Sequence, residues 1–189
     1  MWSGNRTTVE FMTTSTGIAL TPGLWTLDAA TSTVGFSLRN FGLLRVRGEF
    51  QRFDTEFVVD QTGAAAVAAT VHLDSFHTGN AKRDDHVRHA DFLDVERRPT
   101  MTFRTPRPIR IGESFDVPGE VTFGDLTRPL PLTVSWNGPR PHPVTGRPAI
   151  GFKATGTLDR GDFGVGPSFG GMIGRILTVD LGIQLHEPA

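Results

Sequence analysis

The chain has 189 residues, with 20 acidic against 19 basic side chains and a net charge of −1, a balance that excludes the basic excess of a nucleic-acid binder. It has no cysteine, which excludes disulfide scaffolds, cysteine-ligated zinc, iron–sulfur clusters and thiol catalysis. The 22 glycines and 13 prolines predict a turn-rich single domain, and 14 phenylalanines supply most of its aromatic content.

Residues 1–22 read as a Thr-rich, poorly ordered extension, with the folded domain over 23–189. The uncharged stretch Phe11–Leu27 is broken by Thr, Ser and Thr21-Pro22-Gly23, and is too polar to span a membrane. Arg6 stands alone, and Glu10 sits where the apolar run of a secretory signal would begin. No signal peptide is read, and a cytoplasmic location is expected.

From Trp25 onward the apolar period is two, the spacing of half-buried strands. Val34, Phe36 and Leu38 alternate with Gly35, Ser37 and Arg39, and Val46, Gly48 and Phe50 with Arg45, Arg47 and Glu49. The parity then flips to Phe53, Thr55, Phe57 and Val59, which predicts a bulge near Gln51-Arg52. Asp60–Gly63 reads as a hairpin turn, and Ala65, Val67, Ala69, Val71 and Leu73 share the next face.

Asn80 then N-caps a short helix running through Arg88, a second turn follows at Asp91–Val95, and Pro99 closes the excursion. Alternation resumes at Met101 and Phe103, then at Phe115, Val117, Val121 and Phe123, with a turn at Gly124-Asp125. Leu130, Leu132, Val134 and Trp136 make the next strand. Residues 137–148 read as a proline-rich surface loop. Ile150, Phe152, Ala154 and Leu158 follow, then a glycine-rich stretch at 161–174 and a long strand through Leu177, Val179, Leu181, Ile183 and Leu185.

About eight strands at hairpin spacing with one helical insertion predict an all-β antiparallel barrel or sandwich. The small inward-parity residues Gly48, Ala65, Ala69, Gly119, Ala154 and Gly156 suit either a cavity or a tightly packed core bent at its glycines.

Gly166-Pro167-Ser168-Phe169-Gly170 matches G-x-S-x-G by letter, but it lacks the strand-turn-helix setting of a nucleophile elbow. Asp162-Phe163-Gly164 matches a kinase triplet with no phosphate loop beside it, so Phe163 is expected to pack at an end of the fold. The richest polar stretch is Arg83-Asp84-Asp85-His86-Val87-Arg88-His89. Asp85, His86 and His89 could share a helix face and hold a divalent metal for a hydrolase or isomerase. The simpler reading is that the acids favour the helix start and Arg88 and His89 its end. His72, His77, His142 and His186 look like ordinary polar positions. Arg39, Arg45 and Arg47 make an outward basic face that suits solvent or a homodimer contact.

Several segments together resemble the YceI-like family, the polyisoprenoid-binding, bacterial lipocalin-like proteins. They are Trp25-Thr-Leu-Asp28, Ser32-Thr-Val-Gly-Phe36, Val46-Arg-Gly-Glu-Phe50, Asp74-Ser-Phe-His-Thr-Gly79 and Arg83-Asp-Asp-His86. Further along come Ala90-Asp-Phe-Leu-Asp94, Pro99-Thr-Met-Thr-Phe103, Gly119-Glu-Val-Thr-Phe-Gly124 with Leu126-Thr-Arg-Pro129, and Arg160-Gly-Asp-Phe-Gly164. The resemblance covers roughly residues 24–186 and rests on the order and spacing of these motifs.

It implies an extended eight-stranded antiparallel barrel with a long hydrophobic pocket. The pocket would bind a polyisoprenoid or isoprenoid quinone tail, without catalysis; no cofactor or metal is expected. A scavenger of lipophilic drugs or metabolites is the near alternative. By parity and motif the expected pocket residues are Phe36, Leu38, Val46, Phe50, Phe53, Val71, Phe92, Phe103, Phe123, Leu132, Trp136, Phe152, Leu158 and Phe163. Arg83, Asp84 and His86 are expected to hold the helical segment against the barrel mouth. The chain departs from the family at Thr31 and Asn40, where the family usually has His, and these positions bear on head-group preference.

Overall fold

The computed structural model describes residues 20–40, 44–112, 114–142, 146, 148–166 and 173–188. The first half carries β1 (Gly23–Leu27), β2 (Thr33–Asn40), β3 (Leu44–Phe50), β4 (Phe53–Val59), β5 (Ala64–His72) and β6 (Phe76–His77). After the helix α1 (Ala81–Arg88) come β7 (Thr100–Arg104), β8 (Ile109–Arg110), β9 (Ser114–Val117), β10 (Glu120–Phe123) and β11 (Leu126–Pro129). The last three are β12 (Leu132–Pro141), β13 (Pro148–Asp159) and β14 (Ile173–His186). Short 3₁₀ turns stand at Leu73–Ser75 and Arg160–Phe163.

The fold is all-β with one α-helix. Its single sheet of 14 strands is ordered β11-β10-β7-β5-β4-β1-β14-β13-β12-β9, with β2 on β14 and β3, β6 on β3, and β8 on β5. Every ladder is antiparallel. The 14 strand segments, separated by breaks in the chain, outnumber the eight expected from parity. The parity flip falls at such a break, Gln51–Arg52 between β3 and β4. There the N–H of Gln51 donates to the Ser75 carbonyl at 3.2 Å and that of Arg52 to Ser75 Oγ at 3.0 Å. Backbone donors freed by the bend are thus taken up by the first 3₁₀ turn.

Local chemistry sets the other boundaries. The Asp60–Gly63 turn closes with Gly63 at φ 78°, and Asp60 Oδ1 accepts the N–H groups of Thr62 and Ala64. Asn80 caps α1 by accepting the Arg83 N–H at 3.0 Å. The turn after the helix is held by Leu93 N–H on the Val87 carbonyl and Val95 N–H on the Arg88 carbonyl, with Asp94 at φ 51°.

One expectation needs correction. The first half of the proline-rich stretch read as a surface loop is strand: β12 runs to Pro141 and pairs with β13 through Arg140↔Ala149 and Pro141↔Pro148. A register shift between Asn137 and Arg140 takes up Gly138-Pro139, so the missing proline N–H falls at a bulge. Residues 143–145 and 147 of that stretch, the extension through residue 19, and Pro167–Gly170 of the G-x-S-x-G match lie outside the described residues. At the edge of the extension, Leu20 is buried in the core and the Trp25 indole donates to the Thr21 carbonyl at 3.0 Å.

The core runs between the sheet faces, with Ile150 and Leu185 almost sealed from solvent at 0% and 1% exposure. Phe163 is buried against Phe123, ring centroids 6.2 Å apart, so the Asp162-Phe163-Gly164 triplet is a packing feature. Arg39, Arg45 and Arg47 are exposed, and Arg39 faces Arg45 across the β2–β3 ladder.

Candidate functional site

Side chains of one parity from β4, β5, β7, β9, β10, β12, β13 and β14 converge on an interior cavity of about 170 Å³. Phe53, Thr55 and Phe57 approach from β4, Val67, Ala69 and Val71 from β5, and Met101 and Phe103 from β7. Phe152, Ala154 and Leu158 of β13 face Val179, Leu181, Ile183 and Leu185 of β14. Among the described lining residues Thr55 alone carries a side-chain hydroxyl, and none carries a charge. The cavity is therefore suited to hydrocarbon, since a polar group placed there would lose water without gaining partners.

Of the residues expected to form a pocket, Phe53, Val71, Phe103, Leu132, Phe152 and Leu158 line this cavity. The rest sit elsewhere. Phe36 and Phe50 join Phe76 in an aromatic trio, with centroids 5.3–5.7 Å apart. Leu38 and Val46 are cross-strand partners further along the β2–β3 hairpin, off the lining. Trp136 is off the lining, stacked on its cross-strand partner Phe152 at 6.0 Å. Phe92 packs against the His86 ring at 5.2 Å, and Phe123 carries the Arg98 guanidinium 4.3 Å above its ring.

Parity locates these side chains on the inner face but says nothing of their position along the sheet. The residues that parity reasoning left off the pocket list, among them Ala69, Met101, Val179, Leu181 and Ile183, had the same alternation as their signal.

Arg83 and Asp84 of the Arg83–His86 motif tie α1 to Thr78, in the chain before it. Asp84, 2% exposed, accepts the Thr78 N–H on both carboxylate oxygens at 3.1 Å and also the Thr78 hydroxyl. Arg83 donates from Nε to Thr78 Oγ1 at 2.7 Å and from Nη2 to the Thr78 carbonyl at 3.0 Å. Arg88 reaches the carbonyls of Asp74 and Phe76 at 2.9 and 2.6 Å. Burial by itself pushes the Asp84 carboxyl up. The Thr78 hydrogen bonds, with His77 and Arg88 nearby, outweigh it and hold the group below the usual carboxylate range.

The alternative metal set does not gather. Asp85 pairs with Arg88 at 3.0 Å, and His86 rests on Phe92. Among the described residues, the group of three side chains that could hold a metal is Asp28, His142 and His186, which sequence reasoning passed over. Thr31, where the family usually has His, turns back on Asp28, its N–H donating to the Asp28 carbonyl at 3.4 Å. The side chain of Asn40 lies outside the described residues.

Among the described residues no helix is long and apolar enough to cross a membrane. A model of the YceI-like domain matches residues 25–185. A UPF0312 protein of Pseudomonas aeruginosa is 33% identical over 134 residues, 70% of each chain. The YCEI protein of Campylobacter jejuni is similar in structure at TM-score 0.67 and 22% identity, over 80% of this chain and 90% of that one. A polyisoprenoid binding domain from Saccharophagus degradans, implicated in plant cell wall breakdown, is similar at TM-score 0.59 and 15% identity, over 89% of this chain and all of that one. The domain match spans nearly all of the strands and the helix described above, and this chain belongs to the YceI-like family.

Proposed function

We propose that the interior cavity binds an isoprenoid chain, the tail of a polyprenol or quinone, and that the protein carries or sequesters this ligand without transforming it. The observation that carries the reading is the uncharged, almost wholly apolar lining. A branched hydrocarbon binds by burial of area, at about 25 cal/mol per Å² before ordering costs. Among the described residues the lining offers no acid, base or metal ligand with which to change the ligand. The family membership and the fold shared with a polyisoprenoid binding domain support the same reading.

The ladders support an eight-stranded closed sheet. Joining β1 with β2, β3 with β4, β9 with β10 and β11 with β12, the pairings run through β5, β7, the β9–β10 and β11–β12 pieces, β13 and β14, and back to β1 and β2. A round of this size has an interior able to hold one small ligand.

The volume favours a second reading beside the first. At about 170 Å³ the cavity compares with an engineered apolar cavity of roughly 150 Å³ that stays dry and binds benzene. As it stands it holds one ring-sized or branched segment, which suits a compact lipophilic molecule. A longer chain enters by displacing the half-buried Phe53, Met101, Phe103 and Leu158 side chains.

Displacement of a fluorescent prenyl probe by prenols of increasing length separates the readings. Affinity that rises with each added unit supports the isoprenoid chain. Affinity greatest for the shortest competitor supports a scavenger of compact molecules. No probe uptake at all refutes both.

A further inference from the structure

Beyond the interior, one polar cluster has no part in the lipophilic site. Asp28 follows β1, His142 follows β12, and His186 ends β14. His186 comes directly after the cavity-lining Leu185, so its side chain points to the opposite face of β14. The three strand ends meet there: Thr26 of β1 and Ala149 of β13 both pair with His186, and Pro141 precedes His142 at the last rung of the β12–β13 ladder. The residues come from distant parts of the chain and are brought together by strand pairing alone.

Their geometry is that of a ligand set. His142 Nε2 stands 2.9 Å and His186 Nε2 3.6 Å from the same Asp28 oxygen, Oδ2. One ligand atom from each residue lies within 4.8 Å of the others. The imidazole centroids are 4.8 Å apart with the planes at 65°, so the rings do not stack but converge on the carboxylate. The side chains are largely withdrawn from solvent, at 13% exposure for Asp28, 9% for His142 and 17% for His186.

Backbone contacts fix the carboxylate. The Ala30 N–H donates to Asp28 Oδ1 at 3.1 Å, and the Asp28 N–H donates to the Gln184 carbonyl at 2.9 Å. The His186 contact is too long for a hydrogen bond, and its buried Nδ1 has no hydrogen-bond partner. Hydrogen bonding therefore does not account for where this ring is held.

We propose that Asp28, His142 and His186 bind a divalent transition-metal cation of the zinc class and so clamp the ends of β1, β12 and β14. Two imidazoles and a carboxylate are donors that such ions take at about 2.0–2.2 Å, with a water or an external anion filling the remaining position. The ion bridges groups that in its absence share a single carboxylate oxygen. The site is independent of the lipophilic reading, since none of its residues lines the cavity.

The test uses the full chain without an affinity tag, stripped with chelator and titrated with zinc chloride by calorimetry. A parallel titration with cobalt(II) reads its visible absorption. The expected result is one ion per chain, a rise in Tm on loading, and tetrahedral-type cobalt bands. His142→Ala and His186→Ala should each weaken zinc binding at least 100-fold and remove those bands, while His86→Ala, on α1 and outside the ligand set, leaves them unchanged. Asp28→Asn, close to isosteric, repeats the measurement if a histidine variant does not fold. Absence of stoichiometric binding by the parent protein overturns the assignment. So does binding that keeps parental affinity in the histidine variants. Either result leaves Asp28 an ion-pair hub for two histidines.

Discussion

Ala69 offers the cleanest perturbation of the interior. It lies in the middle of β5 opposite Thr55 and Phe103, and its methyl faces the cavity. Ala69→Phe places a ring in a space of about 170 Å³, the size of site that accepts one benzene-sized group. A ligand segment of equal size, burying about 150–250 Å², then loses its place. At about 25 cal/mol per Å² that burial is worth roughly 4–6 kcal/mol.

Ordering costs take a share of this, and half of it, about 2–3 kcal/mol, is still a loss of roughly 30- to 160-fold in affinity. Overpacking costs about 1–3 kcal/mol while new dispersion contacts offset part of it, so Tm should move by no more than about 10 °C. The assay is titration of a fluorescent prenyl probe, with far-UV circular dichroism to establish folding. Ala68→Phe is the control, because Ala68 is exposed on the other face of the same strand. A folded Ala69→Phe protein that binds the probe as tightly as the parent refutes an interior site.

Three further outcomes follow from particular contacts. Asp84→Asn removes a buried carboxylate held below its usual range, and should cost about 2 kcal/mol near neutral pH. Because the folded group titrates lower than the unfolded one, its contribution is complete above about pH 4 and is lost as the pH falls through the folded value, so denaturation curves of the two proteins should converge in acid. Gly119→Ala would set a Cβ 2.1 Å from the Phe103 ring and 2.8 Å from the Leu130 carbonyl oxygen; an expected cost of about 1–3 kcal/mol is read as a Tm lowered by several degrees. Arg160 is buried and donates to the carbonyls of Gly174, Ile173 and Val165, so Arg160→Lys, unable to span all three, should lower the urea midpoint, and an unchanged midpoint would contradict that bracing role.

Much of the fold was legible because its signals are local. Alternation set the strand faces, Asn80 marked the start of the helix, and the parity flip located the break at Gln51–Arg52. Register along the strands was not legible, since parity places Phe36, Phe50 and Phe103 on inner faces alike. The structure then separates Phe103 at the cavity from Phe36 and Phe50 in their cluster with Phe76. The prolines after Trp136 read as a loop because a bulge that absorbs a missing N–H leaves no mark in the periodicity. Asp28, His142 and His186 were invisible for a stronger reason: no short-range spacing links residues 114 apart, as Asp28 and His142 are, and only the ladders joining β1, β12, β13 and β14 bring them together.

The central claim is that the interior holds an apolar chain. Native mass spectrometry of the protein purified from its own host, paired with organic extraction, measures this most directly. The account predicts one isoprenoid-class lipid per chain in the parent protein and its loss from Ala69→Phe. A parent protein that is lipid-free and fails to take up a prenyl probe, or a lipid retained undiminished by the folded Ala69→Phe variant, would contradict it.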